Sequence, residues 1–200
     1  MKHSSFKFPG LFLLLALYAG SSAQAQQSRV TFEYPMTIPY GETADFISET
    51  SYEGFGFSSF FATKSNLSLG ISFQWIGWDE QSDRAAYEYQ GATISGNESK
   101  EFNAYPLLMQ GRYEFGQGTL KPYLGLGLGP AYIEQYQRVG FLSEHDYSTQ
   151  GIMSPEAGLY LDMKNLSLGL GAQYLDTFTA TSAAELEGLT IRLAMGVVSF

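Results

Sequence analysis

Cysteine is absent from this 200-residue sequence, and basic residues are scarce. Without cysteine there is neither a disulfide framework nor a lipid-anchored N-terminal cysteine, so the fold needs its own core or a membrane to stabilise it. Eleven Lys and Arg stand against 20 Asp and Glu, giving a net charge of −9, which argues against the basic face that nucleic-acid binding requires. After residue 25, no segment resembles a transmembrane helix.

The first 25 residues have the layout of a secretory signal peptide. A basic start precedes the apolar run 10–20, and residues 23–25 (Ala-Gln-Ala) form a small-x-small cleavage motif. The apolar run is too short to cross the hydrocarbon core comfortably, which disfavours a retained membrane helix. We therefore predict cleavage after Ala25, export through the Sec pathway, and one domain over residues 26–200.

Beyond the signal peptide, apolar alternation with a period of two replaces helical periodicity and indicates β-strands. In 66–75, 121–133 and 165–174, large apolar residues alternate with Gly, Ser and Gln. A row of such small residues suits the crowded interior of a narrow closed barrel, while the large residues of the other face suit lipid. Phe and Tyr are abundant, with 15 and 14 copies, and glycine has 22.

Eight strands are predicted, separated by links of alternating length. The predicted strands are 29–37, 51–63, 66–78, 101–115, 119–136, 149–162, 165–178 and 188–200. Tight turns join three pairs, whereas the links 38–50, 79–100, 137–148 and 179–187 are longer and hold most of the acidic residues. This pattern predicts an all-β fold, an eight-stranded antiparallel up-and-down transmembrane β-barrel, with both termini on the short-turn, periplasmic side.

Several polar residues have the inward parity of these strands: Gln74, Gln110, Arg112, Glu114, Glu156 and Gln173. Charges in so narrow a lumen must be paired, because an unpaired buried charge costs several kcal/mol. We predict that Arg112 pairs with Glu114 or Glu156 and that these residues form an internal polar plug instead of a binding site. An interfacial aromatic girdle is predicted from rings near proposed strand ends or loop edges: Trp75, Trp78, Tyr87, Tyr105, Tyr113, Tyr132 and Tyr174.

The end of the chain and its strand formulae resemble those of a known family. Gly196, Val198 and Phe200 share one parity, and a final strand ending in an aromatic residue looks like the signal read by the outer-membrane assembly machinery. With the glycine-rich stretch 121–132 and the repeated Asn-Leu-Ser-Leu-Gly, the chain resembles the outer-membrane β-barrel domain family of the OmpA-like porin type. We expect no C-terminal peptidoglycan-binding domain after the barrel.

The resemblance implies the outer membrane of a diderm bacterium as the location. Its expected partners are outer-membrane lipid and lipopolysaccharide, the barrel-assembly machinery and periplasmic chaperones; we also expect a monomer and no cofactor. A match of strand 188–200 with strand 101–115 favours Phe200 outward and Arg192 near the outer rim, with Leu193, Met195 and Val197 inward. The opposite phase would put Arg192 inside the barrel. A soluble lipocalin-like barrel that binds a small apolar ligand is the alternative, and it would need an apolar lumen and a wet exterior.

The expected function is non-enzymatic, with a structural, surface-interaction or minor porin-like role. A lipid-modifying barrel enzyme would need a histidine near a serine or acidic partners. After cleavage the sequence retains one histidine, His145, in the Ser-Glu-His-Asp stretch 143–146, a setting typical of a solvated loop residue. The sequence has no metal-ligand spacing. It also has no nucleotide-binding motif, since the glycines of 125–129 lie within a predicted strand.

Overall fold

The computed structural model describes residues 28–63, 66–89, 92–116, 118–178 and 185–199, with the backbone alone for 84–89 and 92–95. The strands are β1 Ser28–Pro39, β2 Glu53–Ala62, β3 Leu67–Tyr89, β4 Ala92–Glu114, β5 Leu120–Val139, β6 Leu142–Met163, β7 Leu166–Thr177 and β8 Gly188–Ser199. A six-residue helix, α1 (Gly41–Phe46), follows β1. Within this described part, no helix has the length and apolarity needed to cross a bilayer.

The eight strands form a single closed ring in which every neighbouring pair is antiparallel. The ring closes between β1 and β8, whose ladder runs from the pair Ser28–Ser199 to the pair Pro39–Gly188. Strands that are consecutive in the chain are neighbours in the sheet, which is the up-and-down topology. The predicted fold class is confirmed, and the first and last described strand ends lie together on the short-turn side.

The two prolines of β1 lie where they do least harm to the ladder. The hydrogen-bonded pairing of β1 with β2 ends at the pair Glu33–Gly56, before Pro35 and Pro39 are reached. Because proline has no N–H, it is tolerated where one side of a strand is unpaired. The strand therefore continues to Pro39 paired with β8, and on its other side only Thr37, between the two prolines, is bridged, to Ser51.

The hairpins β3–β4 and β5–β6 extend well beyond the barrel. The neighbour β2 pairs with β3 only as far as Gly77, and β7 pairs with β6 only from Ile152 onward. Beyond these points the four strands continue together as what we call the protruding sheet. The links predicted at 79–100 and 137–148 are thus wrong, because both are mostly strand. Both faces of a protruding sheet can meet water, so its sequence loses the alternation that marks a strand.

The phase of β8 is opposite to the predicted one. Three large apolar residues predicted to be inward lie outside: Leu193, Met195 and Val197. Arg192 is buried in the lumen instead of lying at the outer rim. Gly196 and Val198 share its inward parity, and Phe200 lies outside the described residues. The prediction failed because it matched β8 to β4 by sequence, although a guanidinium is far more stable beside lumen carboxylates than against hydrocarbon.

Small and large residues of the lumen fit one another. A side chain at Gly169 would put its Cβ 2.6 Å from the Tyr160 ring, and one at Gly171 would put it 2.5 Å from the Tyr123 hydroxyl. These glycines therefore make the space that two buried tyrosine rings occupy. On the opposite parity, Leu168 and Leu170 are exposed on the exterior. The predicted assignment of the Leu-Gly strands to lipid and lumen faces agrees with this placement.

A valine at these glycine positions provides a test of the packing. Gly169→Val should lower the free energy of unfolding in detergent micelles by about 1–3 kcal/mol, the usual cost of overpacking. Gly111→Val is the matched control, because a Cβ there meets only Leu69, at 3.6 Å, on the exterior. Urea unfolding followed by tryptophan fluorescence measures both. Equal destabilisation by the two variants would contradict the assignment of faces.

Candidate functional site

The predicted lumen residues all lie inside the barrel. Gln74, Gln110, Arg112, Glu114, Glu156 and Gln173 are each at most 9% exposed. Sequence reasoning missed four more buried charges: Arg29, Glu33, Asp162 and Arg192. Arg29 and Glu33 could have been found, since they alternate with the large apolar residues of β1 just as Gln74 does on β3. Together these side chains divide the lumen into layers.

The central layer is an ion network built around Glu156 of β6. Its carboxylate accepts hydrogen bonds from Arg112 of β4 and from Arg192 of β8. The second contact to Arg112, from Nη2 to Glu156 Oε2, measures 3.1 Å. Arg192 also donates from Nη1 to Glu33 Oε2 at 3.2 Å. Two arginines and two carboxylates from four strands are therefore balanced in charge, which is what burial of ions requires.

Aromatic rings surround the guanidinium of Arg112. Its central carbon lies 3.8 Å from the ring centre of Phe60 and 4.8 Å from that of Tyr123. The same guanidinium donates from Nη1 to the Tyr160 hydroxyl at 2.6 Å. Cation–π contacts of this kind gain strength when the cation is removed from water. Arg112 is thus held by a carboxylate in its plane and by rings on its faces.

A second charged layer closes the short-turn end. Arg29 of β1 donates to Glu114 Oε1 at 2.5 Å and to Asp162 Oδ2 at 2.8 Å. Lys121 lies 3.0 Å from the same Asp162 oxygen, and Ser167 donates to the other oxygen at 2.7 Å. Of the two partners predicted for Arg112, the structure pairs it with Glu156, because Glu114 is taken by Arg29.

Amides cross the lumen above the central ion network. Gln74 of β3 donates from Nε2 to Gln173 Oε1 at 3.0 Å, and Gln173 donates to Ser154 Oγ at 2.5 Å. Strands β3 and β7 stand opposite each other in the ring of eight. The hydrogen bond between the two glutamines therefore spans the barrel from wall to wall.

An apolar cap fills the loop end of the lumen. It comprises Phe46, Ile47, Ile76, Trp78, Phe102, Ala104, Leu108, Ala131, Ile133, Ile152, Leu175 and Leu186. Trp78 packs edge-on against Phe102, with ring centres 5.2 Å apart, so the prediction that it joins the outer girdle is wrong. Trp78 is inward because it has the parity of Gln74, whereas Trp75 has the outward parity and donates to Asn103 Oδ1 at 3.0 Å.

Hydrogen bonds hold α1 and the segment after it across the mouth. The Thr43 hydroxyl donates to the Glu185 carbonyl at 2.7 Å, and the Glu187 amide donates to Thr43 Oγ1 at 2.8 Å. On the other side, the backbone amide and hydroxyl of Ser48 donate to Glu80 Oε2 at 2.7 and 3.0 Å. Burial alone would raise the pKa of Glu80, but the two hydrogen bonds from Ser48, the charge of Lys100 and a backbone hydrogen bond from Glu49 together lower that pKa.

His145, for which the sequence favours a solvated loop residue over a catalytic one, lies on the outer face of the protruding sheet. It is exposed, and its ring centre is 4.3 Å from that of Tyr136 and 6.3 Å from that of Tyr147. Among the side chains that the structure describes, no group of three potential metal ligands is found. His145 thus stands among aromatic rings and apart from the lumen networks.

Comparison with known proteins identifies the fold. No family model and no curated protein matches the chain. The structure of Ail, the attachment invasion locus protein of Yersinia pestis, is 13% identical with a TM-score of 0.58, covering 88% of this chain and 100% of Ail. The structure of Ail in complex with the heparin analogue sucrose octasulfate is 11% identical with a TM-score of 0.56. It covers 88% of this chain and 100% of Ail. Neisserial surface protein A is 14% identical with a TM-score of 0.53, covering 88% of this chain and 96% of its own.

The fold is that of the eight-stranded outer-membrane β-barrels, although at these identities the likeness extends to the fold alone. The exterior has the surface that such a location requires. Large apolar residues are exposed on the outside of all eight strands; examples are Phe32, Phe57, Leu69, Met109, Leu126, Leu159, Leu168 and Val197. A continuous apolar exterior of this kind is stable against hydrocarbon and unstable in water.

Removing the carboxylate shared by two arginines tests the central ion network. Glu156→Gln leaves Arg112 and Arg192 buried with Glu33 as the nearby carboxylate, so we expect the free energy of unfolding in micelles to fall by about 3–5 kcal/mol. Glu53→Gln is the control, since Glu53 is exposed at the start of β2. Urea titration of the refolded barrels provides the measurement. A loss no larger than that of the control would show that the network contributes little.

Proposed function

We propose that this chain is a non-enzymatic outer-membrane barrel whose lumen is closed and whose loop end serves surface interaction. The observation that carries the proposal is the filling of the lumen. Two charged layers, one amide layer and one apolar cap follow one another from the short-turn end to the loop end. Eight-stranded barrels generally fill their interiors with side chains, which supports a structural wall in place of a pore.

The loop end is the part that is built to meet other molecules. Four acidic residues, Glu33, Glu114, Glu156 and Asp162, belong to the charged layers of the lumen. The other 16 of the 20 acidic residues lie in what we call the loop half, which is the half of the structure at the loop end of the barrel, including the protruding sheet. Only three of the 11 basic residues lie there: Arg84, Lys100 and Arg138. The protruding sheet lifts many of these charges beyond the barrel, which favours contact with a partner outside the membrane.

The alternatives fit the chain less well. A lipocalin-like carrier needs a wet exterior and an apolar lumen, whereas this exterior is apolar and the centre of the lumen is charged. A barrel enzyme would be expected to use His145, but that ring packs between Tyr136 and Tyr147. A minor porin-like role is disfavoured because a solute would have to displace paired buried charges, each costly to expose alone.

Export and assembly complete the proposal. Cleavage after Ala25 would release residues 26–200 to periplasmic chaperones and the barrel-assembly machinery, which would insert the barrel as a monomer among outer-membrane lipid and lipopolysaccharide. The apolar exterior supports contact with acyl chains, and the short-turn end, where Ser28 and Ser199 pair, would face the periplasm.

Closure of the lumen predicts that the purified protein does not act as a general pore. In planar bilayers bathed in concentrated KCl, we expect no conductance steps, while a trimeric porin measured in parallel conducts. The reason is that ions would have to cross the apolar cap and then the paired charges. Steady conductance of large solutes by the folded barrel would contradict the closed lumen.

The proposed orientation can be tested by labelling, because the chain has no cysteine of its own. We expect Phe141→Cys, at the tip of the β5–β6 hairpin, to react with a membrane-impermeant maleimide on intact cells. Thr119→Cys, in a tight turn at the opposite end, should react only after the outer membrane is permeabilised. Protection of position 141 on intact cells would refute the surface role.

A further inference from the structure

The outer face of the protruding sheet carries a continuous row of aromatic rings. We call the set Tyr105, Tyr132, Tyr136, His145 and Tyr147 the outer aromatic face. Register explains why they share one side, since Tyr105 pairs with Tyr132 and Tyr136 pairs with His145 across neighbouring strands. Ring centres are 6.0 Å apart for Tyr105 and Tyr132, and 6.4 Å apart for Tyr132 and Tyr147. The described rings thus form one connected surface.

A membrane girdle accounts for only the lower part of this row. Tyr105 lies two residues from Asn103, which pairs with Gly77 where the contact between β2 and β3 ends. Tyr132 is at the same level, so both belong to the rim of the barrel. Tyr136 is four residues farther along β5, or about 13 Å at the rise of a β-strand. The upper rings therefore project away from the interface where girdle residues are found.

Carboxylates accompany the rings on this face. The Tyr105 hydroxyl donates to Glu134 Oε2 at 3.5 Å, so that the carboxylate of Glu134 lies among the rings. Asp79 and Glu101 pair with each other in register, and Glu101 also pairs with Tyr136. Both of these acids are exposed. Among the side chains described on this face, the basic one is Arg138, which lies beyond Tyr136 toward the hairpin tip.

We propose that the outer aromatic face docks an extended, arginine- and lysine-rich peptide segment of another protein. The inference rests on the surface role proposed above and names the partner class. Guanidinium and ammonium groups are attracted to the faces of tyrosine rings, and arginine also stacks on them. Alternate side chains of an extended peptide recur about every 6.6–6.8 Å, close to the 6.0–6.4 Å spacings of three neighbouring ring pairs, whereas Tyr136 and His145 are 4.3 Å apart.

The negative charge beside the rings favours the same cationic partner. The carboxylates Asp79, Glu101 and Glu134 would steer a cationic segment onto the rings and pair with it at close range. The acidic balance of the whole loop half adds to this attraction and repels polyanions. In this respect the surface contrasts with Ail, which has been crystallised with the polyanionic heparin analogue sucrose octasulfate.

Binding of a defined peptide tests the inference. The full chain, folded in nanodiscs, is titrated against a fluorescein-labelled peptide of five Arg-Ser repeats, with fluorescence anisotropy as the measurement. We expect saturable binding that weakens with added salt, while the Gln-Ser counterpart and heparin do not bind. Tyr136→Ala combined with Tyr147→Ala should weaken binding about tenfold, and Glu101→Gln combined with Glu134→Gln should weaken it by a similar factor.

Matched controls lie elsewhere on the loop half. Tyr52→Ala removes a ring that is 64% exposed in the link between α1 and β2, and Glu49→Gln removes an exposed carboxylate of the same link. Equal loss of binding in these controls would overturn the proposal in favour of general charge attraction. If the tyrosine and glutamate variants change the affinity of the barrel for lipid but not its affinity for the peptide, the proposal would be overturned in favour of a membrane-facing role.

Failure of the inference can be told apart from failure of the proposed function. If the Arg-Ser peptide does not bind but Phe141→Cys is labelled on intact cells, the partner class is wrong and the surface location stands. If the peptide binds the purified barrel but Phe141→Cys is protected on cells, the face cannot meet an external partner. That second result would overturn both proposals.

Discussion

The shared carboxylate of Glu156 is the interaction on which the interior of this barrel depends. It lies between Arg112 and Arg192, which reach it from β4 and β8, on either side of β6 around the ring. An isolated ion in this position would be very costly, and a pair is tolerable only when geometry and hydrogen bonding are good. Because the partners come from separate strands, the network forms only when the ring is closed and every strand is in register.

Register in turn depends on the pairing of large rings with glycine. Tyr160 can lie in the lumen because Gly169 on the neighbouring strand leaves its ring free, and Tyr123 uses Gly158 and Gly171 in the same way. A slip of one residue would exchange lumen and lipid faces over a whole strand. It would place leucines against the arginines and glycines against lipid. The packing of rings and the pairing of charges therefore specify the same alignment of strands.

Much of this arrangement is encoded in local sequence, and the rest depends on distant contacts. The faces of 66–75 and 165–174 could be predicted because every alternate residue is large and apolar. The parity of β8 could not be read in the same way, because Leu193 and Ala194 are both compatible with either face. Its inward residue is set by Glu33 and Glu156, which are far away in the sequence. Charge pairing was the available signal, and it outweighs a match of strand formulae.

The protruding sheet and α1 were missed for a different physical reason. Strand prediction detects a difference between two faces, and residues 79–100 have polar or charged residues on both. These strands are held by cross-strand backbone pairing, as between Asp79 and Glu101, and by local polar contacts such as those from Ser48 to Glu80. The helix α1 has only six residues, too short to be stable by itself, and it is fixed through Thr43 and Ile47 to groups from other segments.

The difference between the part of the barrel inside the membrane and the part beyond its rim explains why the loop half can carry so much charge. Within the hydrocarbon layer each charge must find a partner in the lumen, so the sequence places only balanced clusters there. Beyond the rim, water solvates single carboxylates at little cost, and the acidic excess of the chain can accumulate. In this region Tyr147 is exposed, and Tyr136 is partly buried beside His145. The position of these rings among carboxylates is the basis of the proposed docking of a cationic partner.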